Sequence, residues 1–278
     1  MSVSVSESRS ETEARFARLL REWRQKRRLS QFDLALASGV SPRHVSFLES
    51  GRANPSRSMI LQLSETLDIP LRDRNVLLTA AGFAPVFRTS ALDDPGMAPV
   101  LRAVRMLLTA HEPYPAIAID RAWNIRMSNG PFDLLGAMLG EDVWTRVGGG
   151  QRNLMRLIFH PEGIRPLVTN WPSVGPIMWR RAQREAEDLG GAEMKTVLDE
   201  LAPYQDHKAL RAAADMALVP VMPFNMLVNG ISISMFTVVA TIGTAQDVTA
   251  DELRIETLFP ADAATEALFR GVAAGAAS

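Results

Sequence analysis

The alternation of apolar and polar residues in the first part of the chain predicts five short helices. In the first, at 13–27, apolar residues recur at i, i+3, i+4 and i+7, which is the spacing of one buried helix face. These residues are Phe16, Leu19, Leu20 and Trp23. The next four helices each begin at a serine or a proline, residues that favour a helix start. They are expected at 30–39, 41–51, 56–67 and 70–82.

The second and third predicted helices have the spacing of a helix-turn-helix motif. Ala35 is a small residue where two short helices meet, and Gly39 can adopt the positive φ that the turn between them needs. Val45 and Leu48, three residues apart, form a narrow apolar seam on the third helix. Because this seam buries only two side chains, most of the third helix is expected to be exposed and available to a partner.

The pattern changes after the fifth helix. Prolines and a glycine interrupt it at 83–96, which predicts a linker. Beyond an amphipathic helix, two short apolar runs at 116–120 and 123–127 predict a β-hairpin that leads into another helix. Residues 132–215 are predicted to be mostly helical. Two further strands are predicted at 231–243, as a central strand, and at 252–262, followed by a closing helix or tail.

These elements predict a multidomain protein, with an all-α five-helix domain followed by an α+β domain. The expected organisation is a disordered leader at 1–12, the helical domain at 13–82, a linker at 83–96, the α+β domain at 97–272 and a tail at 273–278. The chain has 278 residues, of which 47% are hydrophobic and 22% charged, so it is long enough for two such domains.

Composition excludes several kinds of site. The chain has no cysteine, so disulfides and thiolate metal sites are excluded, and its four histidines are scattered, so no metal site is expected. The chain has no uninterrupted run of about 18 apolar residues, so no membrane span is predicted. The polar, acidic N-terminus lacks the apolar region of a signal peptide. The expected location is cytoplasmic, without membrane contact.

Charge is distributed unevenly along the chain. Residues 1–80 contain 13 Lys and Arg against 9 Asp and Glu, a net charge of +4, whereas the remainder contains 17 against 22, a net charge of −5. Within the first 80 residues, seven Lys and Arg residues form a basic run at 15–28. This distribution is typical of a polyanion-binding domain joined to an acidic domain, although a solvated basic helix face would give the same pattern.

Motifs of catalysis are absent from the sequence. The chain has no G-x-S-x-G nucleophile elbow, phosphate loop, zinc-protease motif or dinucleotide fingerprint. Its acidic pairs, Asp93–Asp94 and Asp251–Glu252, fall in turn-like or capping contexts. No catalytic residue is therefore assigned, and the protein is not expected to be an enzyme.

Two parts of the chain resemble known families. Residues 13–80 resemble the Cro/CI-type (XRE-family) helix-turn-helix domain, and the stretch LREWRQKRRLSQFDLALASGVSPRHVSFLESGRANPS follows its pattern almost throughout. The stretches HEPYPAIAIDRAWNIRMSN, RNLMRLIFHPEG, NW and GTAQDVTADELRIETLFPADAAT resemble the MmyB-like ligand-binding region of bacterial regulators. This resemblance implies a lambda-repressor-like five-helix domain followed by a PAS-like sensor domain, and at least some members of the family hold a long-chain fatty acid.

The helix-turn-helix resemblance assigns eight residues to DNA. It implies that Gln31 touches phosphate and buttresses the recognition helix, and that Arg43 and Ser46 face base edges in the major groove. Pro42 stands where relatives often have a polar base-contacting residue, so Arg43 is expected to provide much of the specificity. Without DNA contact, Arg43 would be an ordinary solvated arginine. Arg52 and the start of the fourth helix are expected at flanking phosphates. The full set is Gln31, Ser41, Pro42, Arg43, His44, Ser46, Arg52 and Ser56.

The α+β domain carries the predicted ligand-binding residues. Eleven of the 13 methionines lie between residues 97 and 235, and methionine suits either an adaptable apolar pocket or ordinary core packing. The expected pocket walls are Trp123, Phe132 and Trp171, and the expected headgroup donors are Asn129, Arg152 and Asn153. Each has a structural alternative: a helix cap for Asn129, a salt bridge for Arg152, and core packing for the aromatic residues.

Together these patterns predict a sequence-specific DNA-binding transcriptional regulator that binds a small apolar ligand. The expected partners are double-stranded DNA with a palindromic operator and a second copy of the chain, because tight specific binding commonly uses two recognition helices. The homodimer is expected to form through the C-terminal domain, with no cofactor required beyond a bound long-chain fatty acid. The alternative is a small-molecule carrier, sensor or enzyme whose N-terminal helices dock a protein partner.

Overall fold

The computed structural model describes residues 3–189, 192–205 and 221–276. The predicted helical region at 132–215 and the predicted tail at 273–278 extend past these limits. Their remaining parts lie outside the described residues, as do the first two residues of the predicted leader.

The chain divides into two compact units. The first contains Met1–Ser90 and Thr244–Asp251, and the second contains Ala91–Gly243 and Glu252–Ser278. The division after Ser90 falls inside the predicted linker at 83–96. The sequence pattern had assigned Thr244–Asp251 to the α+β domain, whereas the structure groups it with the helical unit.

Hydrogen bonds hold the Thr244–Asp251 segment in the first unit. The Asp247 carboxylate accepts the N–H of Ser90 at 3.2 Å, and the Thr249 hydroxyl donates to the Ser90 carbonyl at 2.6 Å. The Asp251 carboxylate accepts the N–H of Leu71 at 3.3 Å. These partners are more than 150 residues apart in the chain, so no local sequence pattern indicates their contact.

Five helices form the N-terminal part of the first unit, as predicted. They are α1 (Val3–Lys26), α2 (Gln31–Ser38), α3 (Pro42–Glu49), α4 (Arg57–Thr66) and α5 (Leu71–Ala80). The hydroxyls of Ser30, Ser41 and Ser56 each accept a first-turn N–H, so the predicted caps begin α2, α3 and α4. Gly39 has a φ of 68° in the turn between α2 and α3, which is the conformation for which glycine was expected there.

The first helix is longer than expected. α1 begins at Val3 and therefore includes most of the segment predicted as a disordered leader at 1–12. Extending an existing helix costs much less than nucleating a new one, so α1 continues through a segment rich in serine, although serine has a lower helix propensity than Ala, Glu or Arg.

The core of the first unit is apolar and draws on all five helices. Val45 and Leu48, which form the predicted seam of α3, are both 0% exposed and belong to the same buried cluster as Leu34 and Ala35 of α2. Full burial of such a side chain contributes about 1.5–3 kcal/mol. This seam fixes α3 against α2, whereas Pro42 and Arg43 at the start of α3 are exposed.

The second unit contains the remaining helices and the strands. The helices are α6 (Ala98–Ala110), α7 (Gly130–Met138), α8 (Val143–Gly148), α9 (Leu154–Phe159), α10 (Trp171–Leu189), α11 (Ala192–Leu201), the short α12 (Val248–Glu252), which starts in the first unit, and α13 (Ala263–Ala276). The strands are β1 (Ala116–Ile119), β2 (Ile125–Ser128), β3 (Phe224–Val228), β4 (Ile231–Thr241) and β5 (Arg254–Pro260). Within the described residues, none of the helices combines the length and apolar character needed to cross a membrane.

The five strands form one antiparallel sheet in the order β2-β1-β5-β4-β3. The β1–β2 hairpin, the interior position of β4 and the strand β5 confirm the sequence predictions, whereas β3 was not predicted. Alternate residues of a strand share one face of a sheet. On one face of β4, Ile233 and Met235 are each 1% exposed and pack in the main apolar cluster of the unit.

Candidate nucleic-acid interface and ligand cavity

The accessible surface of α3 presents three of the residues predicted to bind DNA. Arg43 is exposed, and its guanidinium lies 5.2 Å from the centre of the Phe47 ring, one turn along the helix. His44 and Ser46 are partly exposed. A cation is attracted to the face of an aromatic ring, so Phe47 restrains the direction in which the Arg43 side chain leaves the helix.

The remaining surface residues predicted for DNA lie at helix boundaries. Pro42 is the first residue of α3, and the Ser41 hydroxyl before it accepts a first-turn N–H at 3.2 Å. The Ser56 hydroxyl accepts a first-turn N–H of α4, also at 3.2 Å. Arg52 is exposed between these two helices. Helix N-termini carry a partial positive charge, so these positions suit contact with phosphate.

A buried carboxylate fixes α3 to its neighbours. Glu49 at the end of α3 is 2% exposed. Arg24 of α1 binds both carboxylate oxygens, at 2.6 Å through Nε and at 2.8 Å through Nη2. Gln31, predicted to buttress the recognition helix, donates its side-chain N–H to the same carboxylate at 2.8 Å. Glu49 therefore links α1, α2 and α3 at one point.

The surroundings of Glu49 keep its carboxylate charged. Burial by itself raises the pKa of this carboxyl, but hydrogen bonds from Arg24 and Gln31, with the positive charges of Arg24 and Arg21, bring the pKa below its usual value. Neither Glu49 nor Arg24 was predicted as a functional residue. The sequence nevertheless contains a sign of this role. Glu49 lies four residues after Val45, on the packed side of α3, where a charged side chain needs a partner.

A largely apolar cavity of about 410 Å³ lies in the second unit. Its walls come from α7, α9, α10 and the strands β1, β3, β4 and β5. Four methionines line it: Met178, Met222, Met226 and Met235. The volume falls in the range of small-molecule sites, and flexible methionines can adapt to ligands of different shape.

Arg181 and Glu256 give the cavity one polar end. Arg181 Nη2 donates to Glu256 Oε1 at 2.7 Å, and Arg181 Nε donates to Glu185 Oε1 at 2.8 Å. Trp123 completes this cluster, because the Arg181 guanidinium lies 4.8 Å from the centre of its ring. The indole N–H of Trp123 donates to Glu185 at 2.9 Å.

Opposing effects act on the ionisation of this cluster. Burial raises the pKa of Glu256, and the charge and hydrogen bond of Arg181 only partly oppose that rise. Burial lowers the pKa of Arg181, but the charges and hydrogen bonds of Glu256 and Glu185 outweigh it and raise the pKa overall. Neither lining residue was predicted. The sequence signal for Glu256 is a glutamate between Ile255 and Leu258 in the predicted strand.

A second apolar recess, of about 620 Å³, shares Leu135 with the cavity. Ile231 and Ile233 line the recess, whereas Met235 and Thr237 line the cavity. These four alternate residues share one face of β4, which extends over about 20 Å between the first and the last of them. The recess and the cavity therefore follow each other along the same strand.

Phe132 lines the cavity, but the two predicted asparagines do not. Asn129 caps α7 by accepting a first-turn N–H at 3.2 Å, and Asn153 caps α9 by accepting one at 3.1 Å. Both side chains are buried and donate to backbone carbonyls, those of Leu108 and Tyr114 for Asn129 and that of Ala122 for Asn153. These bonds use side-chain N–H groups that were predicted to donate to a ligand headgroup.

The other three predicted ligand-binding residues also lie outside the lining. Arg152 pairs with Asp133 at 2.7 Å. Trp171 packs edge to face on Phe159, with 5.4 Å between ring centres. Trp123 is fully buried and supports the polar end of the cavity from behind. These contacts are the structural alternatives expected for an arginine and for aromatic core residues, and ligand contact by the three residues stays a prediction.

Two family models match the chain. Residues 100–271 match the MmyB-like transcription regulator ligand binding domain, and residues 20–73 match a helix-turn-helix family. The first match covers more than half of the chain and includes the whole described lining of the cavity. The second includes α2 and α3. No curated protein matches the chain.

Proposed function

Because the chain belongs to the family of transcription regulators with an MmyB-like ligand-binding domain, we propose that it is a homodimer whose affinity for a palindromic operator is controlled by an apolar ligand. It joins a helix-turn-helix DNA-binding domain to a ligand-binding domain. The observation that carries the proposal is the arrangement of α3, which is held by Val45, Leu48 and Glu49 and leaves Arg43 exposed.

In the proposed complex, α3 enters the major groove. Arg43 donates two hydrogen bonds from its guanidinium to one guanine, at O6 and N7, and His44 and Ser46 contact neighbouring bases. Arg52 and the N-terminus of α4, at Ser56, contact the flanking phosphates. Gln31 acts through Glu49 by orienting α3, which is supported by its 2.8 Å hydrogen bond. Two α3 helices in a dimer would bind half-sites about 34 Å apart.

The proposed ligand is an amphiphile with a long hydrocarbon chain. The apolar lining of the cavity, and the recess that continues along β4, support an elongated tail. A long-chain fatty acid has such a tail, and the polar residues of the cavity decide which headgroup is accepted. Binding of the ligand favours one dimer geometry over another and so changes the spacing of the two α3 helices. The protein acts in the cytoplasm by binding rather than by catalysis, without a required cofactor.

DNA binding tests the proposed function. Full-length protein is titrated into labelled DNA from the region upstream of its own gene, at several salt concentrations. Affinity should fall as salt rises, since phosphate contacts release counterions. Arg43→Ala should weaken binding by about tenfold or more, because a bidentate arginine–guanine contact contributes about 1–3 kcal/mol.

An exposed arginine on α6 provides the matched control. Arg105→Ala removes the same charge from the second unit and should leave the affinity for DNA unchanged. Absence of salt-dependent association would contradict the proposal. Equal affinities of Arg43→Ala and the unchanged protein would favour N-terminal helices that dock a protein partner.

A further inference from the structure

The polar end of the cavity contains more acid than base. Of the described residues that line the cavity, Arg181 and Glu256 are the charged ones. Arg181 also pairs with Glu185, so a single guanidinium is shared between two carboxylates. With all three groups ionised, this cluster has a net charge of −1.

Two of the three guanidinium nitrogens of Arg181 already donate to carboxylates of the protein. Its Nε and Nη2 donate to Glu185 and Glu256, and its face lies on the Trp123 ring. A ligand carboxylate would place a third negative group beside one cation, or it would displace Glu256 from Arg181. The second course leaves a buried carboxylate unpaired, which is strongly unfavourable.

Glu256 has an oxygen available to a ligand. Its Oε1 accepts the hydrogen bond from Arg181, whereas its Oε2 has no hydrogen-bond partner among the described residues. The side chain is 6% exposed and faces the cavity, where Thr237 supplies a hydroxyl. An ionised carboxylate accepts hydrogen bonds through both oxygens, so this oxygen can accept one from a donor on a ligand.

From this arrangement we infer that the cavity selects an amphiphile with a protonated amine as its head. The hydrocarbon tail lies on the methionine-rich lining, and the ammonium donates to Glu256 Oε2 and to Thr237. The complex then has two cations and two carboxylates at its polar end, and no ion is left unpaired. This inference rests on the proposed function, because it assigns the headgroup of the ligand proposed to control DNA binding.

The ionisation of Glu256 agrees with an ammonium partner. Burial raises the pKa of this carboxyl, and a positive charge beside it would lower that pKa again. A bound carboxylate would have the opposite effect and raise the pKa further. The amine therefore stabilises the charged form of Glu256, which is also the form that pairs with Arg181.

Three probes with the same tail test the headgroup. Decylamine, 1-decanol and decanoate are titrated into the full-length protein at neutral pH, each below its aggregation concentration. Tryptophan fluorescence reports binding, because Trp123 contacts Arg181, and native mass spectrometry gives the stoichiometry. Decylamine should bind about tenfold or more tighter than decanoate, since a charge-assisted hydrogen bond replaces a like-charge contact. Decanol should fall between them.

The variant Glu256→Gln keeps the shape of the side chain and removes its charge. It should weaken decylamine binding by about tenfold, with little effect on decanol. Glu162→Gln, which changes an exposed glutamate of the same unit, should bind all three probes as the unchanged protein does. If Glu256→Gln does not fold, the probe series on the unchanged protein still decides the question.

The outcomes separate this inference from the proposed function. Decanoate or decanol binding as tightly as decylamine would overturn the amine head and leave an apolar ligand in place. Failure of all three probes to bind at defined stoichiometry would count against the ligand cavity itself, and so against both. Decylamine preference that persists in Glu256→Gln would also overturn the role given to Glu256.

Discussion

The buried pair of Arg24 and Glu49 gives a quantitative test of how α3 is held in place. The two Glu49 oxygens accept hydrogen bonds from Arg24 at 2.6 and 2.8 Å, and the two side chains are 12% and 1% exposed. In Arg24→Met, Glu49 keeps the hydrogen bond from Gln31 and the more distant charge of Arg21, which lies 3.8 Å away and is half exposed. The buried carboxylate of Glu49 thus loses most of the interactions that offset the cost of burying its charge.

Removing one partner of a buried ion pair costs about 3–5 kcal/mol. Because Gln31 and Arg21 remain, we expect a loss near the lower limit, about 3 kcal/mol. That is a large part of the total stability of a domain, which is commonly about 5–15 kcal/mol. The double variant Arg24→Met/Glu49→Leu removes both charges, and such replacements are often neutral or stabilising. It should therefore recover most of the lost stability.

Urea denaturation with hydrogen exchange of peptides from α1 and α3 measures this loss in the first unit separately from the second. Arg24→Met should lower the free energy of unfolding of the first unit, and the double variant should restore it. A loss in Arg24→Met below about 0.5 kcal/mol, the size of an ordinary surface substitution, would refute the reasoning. A double variant as unstable as the single one would refute it equally, because packing rather than charge would then explain the loss.

Three further predictions concern acid, a buried asparagine and a helix cap. Since the pKa of Glu49 lies below its usual value of 4.5, its contribution to stability is complete above that value and is lost as pH falls through the lowered pKa. Urea titrations at decreasing pH should show this loss as a fall in the free energy of unfolding, and the fall per pH unit should be smaller in Glu49→Gln. An equal dependence on pH in both proteins would contradict this prediction. Asn129→Ala leaves buried backbone groups unpaired and should destabilise the second unit by at least about 2 kcal/mol in thermal melts. The affinity for the decyl probes should not change. A loss of probe affinity with normal stability would instead support the predicted role of Asn129 as a headgroup donor. Ser41→Ala should destabilise α3 by about 1 kcal/mol, seen as faster hydrogen exchange in its first turn, whereas Ser41→Asp should retain the cap; equal exchange in both variants would contradict the capping role.

Features that depend on neighbouring residues were predictable from the sequence. The caps at Ser30, Ser41 and Ser56 lie next to the helices that they begin, and Gly39 lies in the turn that needs its positive φ. The β1–β2 hairpin is equally local. Val45 and Leu48 identified the packed face of α3, and hence the exposed face, because helical spacing alone places them on one side.

Features that depend on distant pairings were not predictable. Arg181 and Glu256 are 75 residues apart, and only the packing of α10 on the sheet brings them to one end of a cavity. β3 follows a proline-containing stretch and is five residues long, so its identity depends on pairing with β4. Asn129 shows a different limit: its position before α7 indicated a cap, but a sequence cannot show that the same side chain also satisfies two buried carbonyls.

Control of DNA binding by a ligand is tested most directly by one titration of the full-length protein. Its affinity for DNA from upstream of its own gene is measured without a ligand and with whichever decyl probe binds most tightly, at a saturating concentration confirmed by native mass spectrometry. We predict that the probe changes the DNA affinity several-fold, about fivefold or more, and that DNA changes the probe affinity by the same factor. Equal DNA affinities with the cavity empty and occupied would contradict ligand control.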